Sequence, residues 1–417
     1  HTRCLSDWSS DVCSSDLARA RFVVAFCTFR TSRCDVNVLA RPDAPARKTQ
    51  APVIIRRIDA IPVALPLKTP MSMAGITIAT ADNVIVRMEA ADGTVGWGEA
   101  ASAPTMTGDT LGGLVAAVRD HLAPALVGKD ARDWPVLRKA LHRSLVGNGG
   151  AHSAVEMALL DMTGRATGTK LIDLVGKARR SAVKPMWLLG NKTAEQDVAE
   201  AKIKEKEGFH FFKLKIGTKP PEKEIEIAHA VRAAMPKMPL CADANCGLTL
   251  EAARKYIDGT RKAKLMFVEQ PLAYDDIASL RELTKASQVP IGIDEGIHSI
   301  ADIETNAKAG AGGVSLKLIK LGGITGALEA AKLCQKLGLS VNIAAKIAES
   351  SIASAATVHL ACGVSRVDWG VSITHFYLAE DLVKKSLPLK DGFVSLPDQP
   401  GLGIEVDEAA VSRFTVR

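Results

Sequence analysis

The stretch Phe211-Phe212-Lys213-Leu214-Lys215-Ile216-Gly217 sets two ammonium groups two residues apart inside an apolar run closed by glycine. In a β-strand, residues i and i+2 share a face, so Lys213 and Lys215 point the same way. Two like charges that close, and partly desolvated, disfavour each other's protonation, which predicts lysine pKa values lowered toward the range of a general base. Such a pair needs anions nearby. Acidic residues end the next apolar runs, Leu240-Cys241-Ala242-Asp243, Leu265-Met266-Phe267-Val268-Glu269 and Ile291-Gly292-Ile293-Asp294, and the run Gly313-Val314-Ser315-Leu316-Lys317 ends in another lysine.

Outward from this stretch, the chain from 183 to about 370 repeats strand, helix, strand with short gaps. Strands are expected over 184–189, 212–216, 239–243, 265–269, 290–294, 313–317, 340–344 and 366–370, with amphipathic helices such as 222–235 and 324–337 between them. The alternation implies a parallel sheet, and this number of units implies an α/β fold of the TIM type, a modified (β/α) barrel of seven to eight units whose last unit is irregular. In that architecture functional groups gather at the carboxyl ends of the strands. Lys213, Lys215, Asp243, Glu269, Asp294 and Lys317 all fall there.

Ahead of the barrel, 54–65, 83–90 and 94–99 read as strands of a small antiparallel sheet, with Asp92-Gly93 as a hairpin turn. Segments 110–127, 133–145 and 151–167 carry apolar residues at helical spacing. The expected organisation is a leader over 1–50, an α+β capping domain over 51–180, the barrel over 181–376, and a segment over 377–417 that returns to the capping domain. Between the first two strands, 68–75 reads either as an ordinary connection or as a methionine-bearing lid that shapes a pocket.

Hydrophobic residues at 47% with only 4% aromatics suit a packed α/β enzyme rather than a disordered chain. A formal charge of +7 and a pI near 8.9 allow an anionic substrate, but no basic stripe interleaves with aromatics, which argues against nucleic acid. No apolar run approaches the roughly 20 residues that span a bilayer. Residues 1–50 carry a Ser-Asp near-repeat and four of the eight cysteines, Cys4, Cys13, Cys27 and Cys34. The apolar core over 22–27 is short for a secretory or transit segment, so a non-native or mistranslated leader is the preferred reading. Cys241, Cys246, Cys334 and Cys362 show no C-x-x-C spacing, so neither a disulfide framework nor a zinc site is expected, and the compartment expected is the cytoplasm.

Asp243, Glu269 and Asp294, from three consecutive strands and offering only oxygen, make a site for a hard cation such as Mg2+ or Mn2+ with positions left for substrate oxygens. A lone strand-end acid is more often a helix cap or an ion-pair partner; three in succession flanked by lysines reverse that weighting. Asn245 shares the face of Asp243 and is placed to hydrogen-bond a ligand or a lysine. Glu349, in Ala348-Glu349-Ser350-Ser351, reads as a further carboxylate of the site or as a cap for the following helix.

The ordered set Lys-x-Lys, Asp-Ala-Asn, Glu-Gln-Pro, Asp-Glu and Lys resembles the enolase superfamily, in particular its muconate-lactonizing subgroup, over about 53–417. The helix motif Ala151-His152-Ser153-Ala154-Val155-Glu156-Met157-Ala158-Leu159-Leu160-Asp161 and the late Pro400-Gly401-Leu402-Gly403 are similar to the cycloisomerases of that subgroup. The resemblance implies metal ligation by Asp243, Glu269 and Asp294, acid/base roles for Lys215 and Lys317 on opposite faces, an electrostatic role for Lys213, and a pocket carboxylate in Glu349. It implies a homo-oligomeric isomerase acting on a small-molecule carboxylate through an enolate, either by lactonization of cis,cis-muconate or a related diacid, or by racemisation, epimerisation or dehydration of another carboxylate. Two features depart from the pattern. Ala344-Ala345-Lys346-Ile347-Ala348-Glu349 replaces a glycine-rich version, and Val367-Asp368-Trp369-Gly370-Val371 holds one acid where dipeptide epimerases resemble one another in two.

Overall fold

The computed structural model of the protein describes residues 51–73, 76–190 and 192–417; the leader expected over 1–50 lies outside them. The fold opens with strands β1 (Ile55–Met73), β2 (Ile76–Ala90) and β3 (Val95–Ala101), joined in the antiparallel order β1-β2-β3. Asn83 pairs with Ala101 and Glu89 with Val95 across the Asp92-Gly93 turn, where Gly93 takes φ +85°. The expected loop over 68–75 is largely strand instead. Met71 pairs with Ile78 after a register break at Pro66, because a proline supplies no N–H to the ladder; Ala74 and Gly75 lie outside the described residues.

The helix Gly149–Thr167 lies on this sheet and is buried along most of its length. Its approach depends on glycine, since a Cβ at Gly98 would stand 1.9 Å from the carbonyl oxygen of Ala154. Val84, Val86 and Met88 from the sheet and Ala154, Val155, Ala158 and Leu159 from the helix form the capping-domain core.

After β4 (Ala182–Val183), seven parallel strands follow: β5 (Trp187–Leu189), β6 (Phe212–Lys215), β7 (Leu240–Asp243), β8 (Val268–Glu269), β9 (Ile291–Ile293), β10 (Gly313–Leu316) and β11 (Ser340–Ile343). They are hydrogen-bonded in strict sequence order, with helices between them. The eighth strand expected over 366–370 does not form. Closure is made around Val371, which bridges Ile343 on one side and Pro185 on the other, with Trp369 N–H donating to Val341 O and Ser372 N–H to Ile343 O. The reason is Trp369, whose indole stacks on Phe267 at 4.1 Å and joins Met186, Phe211 and Cys241 in a plug under the amino ends of the strands. Only glycine fits above that ring: a Cβ at Gly313 would meet it at 2.6 Å and one at Gly292 at 2.8 Å. With its lower mouth filled, the barrel opens at the carboxyl ends.

The chain beyond Tyr377 runs back along the capping sheet. β12 (Val394–Ser395) pairs with β4, Ala379 N–H donates to Pro66 O, Val416 N–H donates to Pro62 O, and Leu402 N–H donates to the buried Asp161 carboxylate. No helix among the described residues is long and apolar enough to cross a membrane.

Candidate active site

The alternation inside β6 sends Phe212 and Leu214 into the apolar core and Lys213 and Lys215 to the opposite face. Parallel register then sets Lys215 beside Asp243 and Asp243 beside Glu269. Asp294 follows β9 directly and Lys317 follows β10, so all six strand-end groups meet on one side of the sheet. Gly190 lets the backbone after β5 pass close to Lys215: its φ is +100°, and a Cβ there would lie 2.4 Å from Lys215 O.

The contacts form a network of alternating charge. Lys213 Nζ donates to Glu269, whose other oxygen accepts from Ser315 Oγ at 2.5 Å. Lys215 Nζ donates to Asp243 Oδ2 at 2.6 Å and Asn245 Oδ1 at 2.7 Å. Asn245, in the left-handed region at φ +44°, passes the chain on to Glu295 Oε1 at 2.8 Å. Lys317 Nζ donates to Asp294 Oδ2, and Lys320 Nζ donates to Asp294 Oδ1 at 2.6 Å and to the carbonyls of Asp294 and Ser315. Lys320 and Glu295 are the partners that sequence reasoning missed. Glu295 is visible as the second acid of Asp-Glu, but Lys320 stands in a helical turn after β10, where nothing in the spacing marks it.

The lysine electrostatics differ from the sequence expectation. Burial alone lowers a lysine pKa, yet Lys213 is raised, because the charges of Glu269 and Asp243 together outweigh burial. Lys317 is raised in the same way by Asp294 and Glu295, whereas burial wins at Lys320 and lowers it. Among the acids, burial pushes Glu295 up to about 7, with Asp294 and Asp243 adding to it. Asp294 is held well below the carboxylate range, Lys317 and Lys320 overcoming burial there.

The carboxyl-end mouth is a cavity of about 750 Å³ walled by Lys213, Lys215, Asp243, Asn245, Asp294 and Lys317 on the barrel side and by residues 77–83 and 102–106 of the capping domain on the other. Capping residues therefore shape the pocket, and among the described residues those on the wall lie at the start of β2 and in the segment after β3. Glu269 and Glu349 are buried behind the wall. Glu349 Oε1 accepts the Lys346 N–H at 3.1 Å, and Ser350, not Glu349, caps the helix Ser351–Gly363. Asp368 is also absent from the wall and pairs with Arg366 at 3.0 Å.

Among the described residues, no three acid, histidine or cysteine side chains already converge as a metal site, since each strand-end carboxylate is turned onto a lysine. The donor chemistry nevertheless fits a hard dication: three carboxylates on adjacent strands and no nitrogen or sulfur ligand.

Residues 196–410 match the family model described as enolase C-terminal domain-like, and residues 56–176 match that of the mandelate racemase / muconate lactonizing enzyme N-terminal domain. The chain belongs to the enolase superfamily, in its muconate-lactonizing subgroup. It is 30% identical to a chloromuconate cycloisomerase of Pseudomonas sp., over 87% of this chain and 99% of that one. It is also 30% identical to an L-Ala-D/L-Glu epimerase of Bacillus subtilis, over 84% and 96% respectively. In structure it is similar to the muconate lactonizing enzyme from Pseudomonas fluorescens complexed with muconolactone, with a TM-score of 0.84 and 26% identity, covering 88% of this chain and all of that one.

Proposed function

We propose that the protein is a divalent-cation-dependent isomerase that lactonizes cis,cis-muconate or a closely related diacid. The supporting observation is that Lys215 and Lys317 stand on the cavity wall at the ends of β6 and β10, each paired with a different member of the strand-end acid set. Asp243, Glu269 and Asp294 are the residues that would hold Mg2+ or Mn2+; when bound, such a cation supplies electrostatic stabilisation of the negative charge that develops on a substrate carboxylate.

The chain's own residues then divide the remaining work. In lactonization one carboxylate of muconate adds across the conjugated double bond, and the carbon next to the other carboxylate must take up a proton. Lys215, fixed by Asp243 and Asn245, delivers that proton from its face. Lys317 faces it from across the barrel and contributes charge. Lys213, donating to Glu269, opposes the rise in pKa that burial imposes on that carboxylate. The capping segments exclude water from the developing charge. The same reading gives a small-molecule carboxylate as partner, a homo-oligomer, and a cytoplasmic enzyme with free thiols at Cys241, Cys246, Cys334 and Cys362.

The test is loss of the diene absorbance of cis,cis-muconate with metal-loaded protein, run in deuterium oxide. Lys215→Ala should remove turnover, and Lys317→Ala should slow it while leaving the product's stereochemistry unchanged. The similarity to an epimerase supports the second reading, racemisation or epimerisation of an amino-acid derivative. Absence of lactone, with each lysine variant washing deuterium into one enantiomer of an N-acyl amino acid, would replace the first reading by the second.

A further inference from the structure

Four lysines line the cavity: Lys213, Lys215, Lys317 and Lys346. The first three each grip a carboxylate. The Lys346 ammonium has no hydrogen-bond or ion-pair partner among the described residues, although the side chain is only partly exposed. Glu349 and Asp82 act on it from beyond ion-pair distance, and the charges of Lys317 and Lys215 oppose it. A cation drawn partly out of water without a counter-ion is costly unless something else pairs with it.

The backbone around this residue is fixed rather than free. Lys346 N–H donates to Glu349 Oε1 at 3.1 Å, and Lys346 O accepts from Thr374 Oγ1 at 2.8 Å. Thr374 Oγ1 in turn accepts from Glu349 N–H at 3.2 Å, and Ala348 O accepts from Asn83 of the capping domain at 3.3 Å. Ala348 is held at φ +61°, an unusual conformation for a residue with a side chain, which four such bonds sustain. Buried Glu349 thus acts on the pocket through Lys346, which it positions.

We infer that Lys346 is a specificity-determining residue that binds the far carboxylate of a dianionic substrate, whose proton-accepting end lies between Lys215 and Lys317. The inference rests on the proposed function for the placement of the proton-accepting end. Asp82, exposed on the same wall, offers the opposite preference, a remote cation, and the probes are chosen to separate the two.

The experiment measures binding of three six-carbon ligands to the Mg2+-loaded protein by calorimetry: hexanoate, adipate and 6-aminohexanoate. They share one carboxylate and differ only in a neutral, anionic or cationic far end. A charge-assisted contact of this kind is expected to make adipate bind about 10- to 100-fold more tightly than hexanoate. Lys346→Met should abolish that advantage and leave hexanoate within about twofold, and Lys346→Arg should keep most of the advantage. Equal binding of adipate and hexanoate by the unaltered protein, tighter binding of 6-aminohexanoate, or an equal loss for all three ligands in Lys346→Met would overturn the assignment. Failure to lactonize muconate with the adipate preference intact would remove the proposed function and leave this subsite standing.

Discussion

Replacing Glu349 by glutamine is expected to change how stability depends on pH more than it changes stability at any one pH. Glu349 is only 4% exposed, and burial, followed by the charge of Glu99, pushes its carboxyl up to about 8. In an unfolded chain a glutamate ionises near ~4.3. Below that value both states hold the proton and the residue costs nothing. As pH rises, the unfolded state releases its proton while the folded state keeps it, so the folded state binds more protons and stability falls until the folded carboxyl also ionises. At about 1.4 kcal/mol per pKa unit, the whole window up to about pH 8 represents a loss on the order of 5 kcal/mol. Glutamine keeps the shape and the Oε1 acceptor for Lys346 N–H but does not titrate. Urea unfolding of both proteins from about pH 5 to about pH 8 should therefore show the variant gaining on the wild type by roughly 1 kcal/mol per pH unit. Parallel profiles would show that Glu349 is already ionised in the folded protein and would refute the reasoning.

Three further outcomes are expected. Asp243→Asn should abolish divalent-cation-dependent turnover with little loss of secondary structure, and full activity after exhaustive chelation would contradict the role given to the strand-end acids. Gly98→Ala should cost about 3 kcal/mol or more, since its Cβ lies 1.9 Å from a backbone oxygen that no side-chain rotation can relieve. Gly93→Ala, at positive φ in open space, should cost only ~1 kcal/mol, and comparable melting temperatures for the two variants would falsify the close-packing argument. A chain starting at Ala51, the first residue of a separate compact unit, should melt at the temperature of the full chain; a drop of several degrees would show that the first 50 residues stabilise the rest.

The repeated strand-helix order and the set of charged groups at the strand ends are legible in the amino-acid order alone. Those signals are local: a period of two puts Lys213 and Lys215 on one face, and an acid that closes an apolar run must stand where the run leaves the core. Tertiary structure decided what the sequence patterns leave open. The segment 366–370 has the composition of a strand, but the stacking of Trp369 on Phe267 under the barrel outweighs that preference and leaves a short run around Val371 to close the sheet. Lys213 and Lys317 carry raised rather than lowered pKa values because carboxylates from neighbouring strands hold their ammonium groups. Lys320 pairs with Asp294, Glu349 lies behind the wall, and Lys346 stands on it without a partner among the described residues. Each of these depends on distances between residues far apart in the chain, which charge pattern and periodicity do not encode.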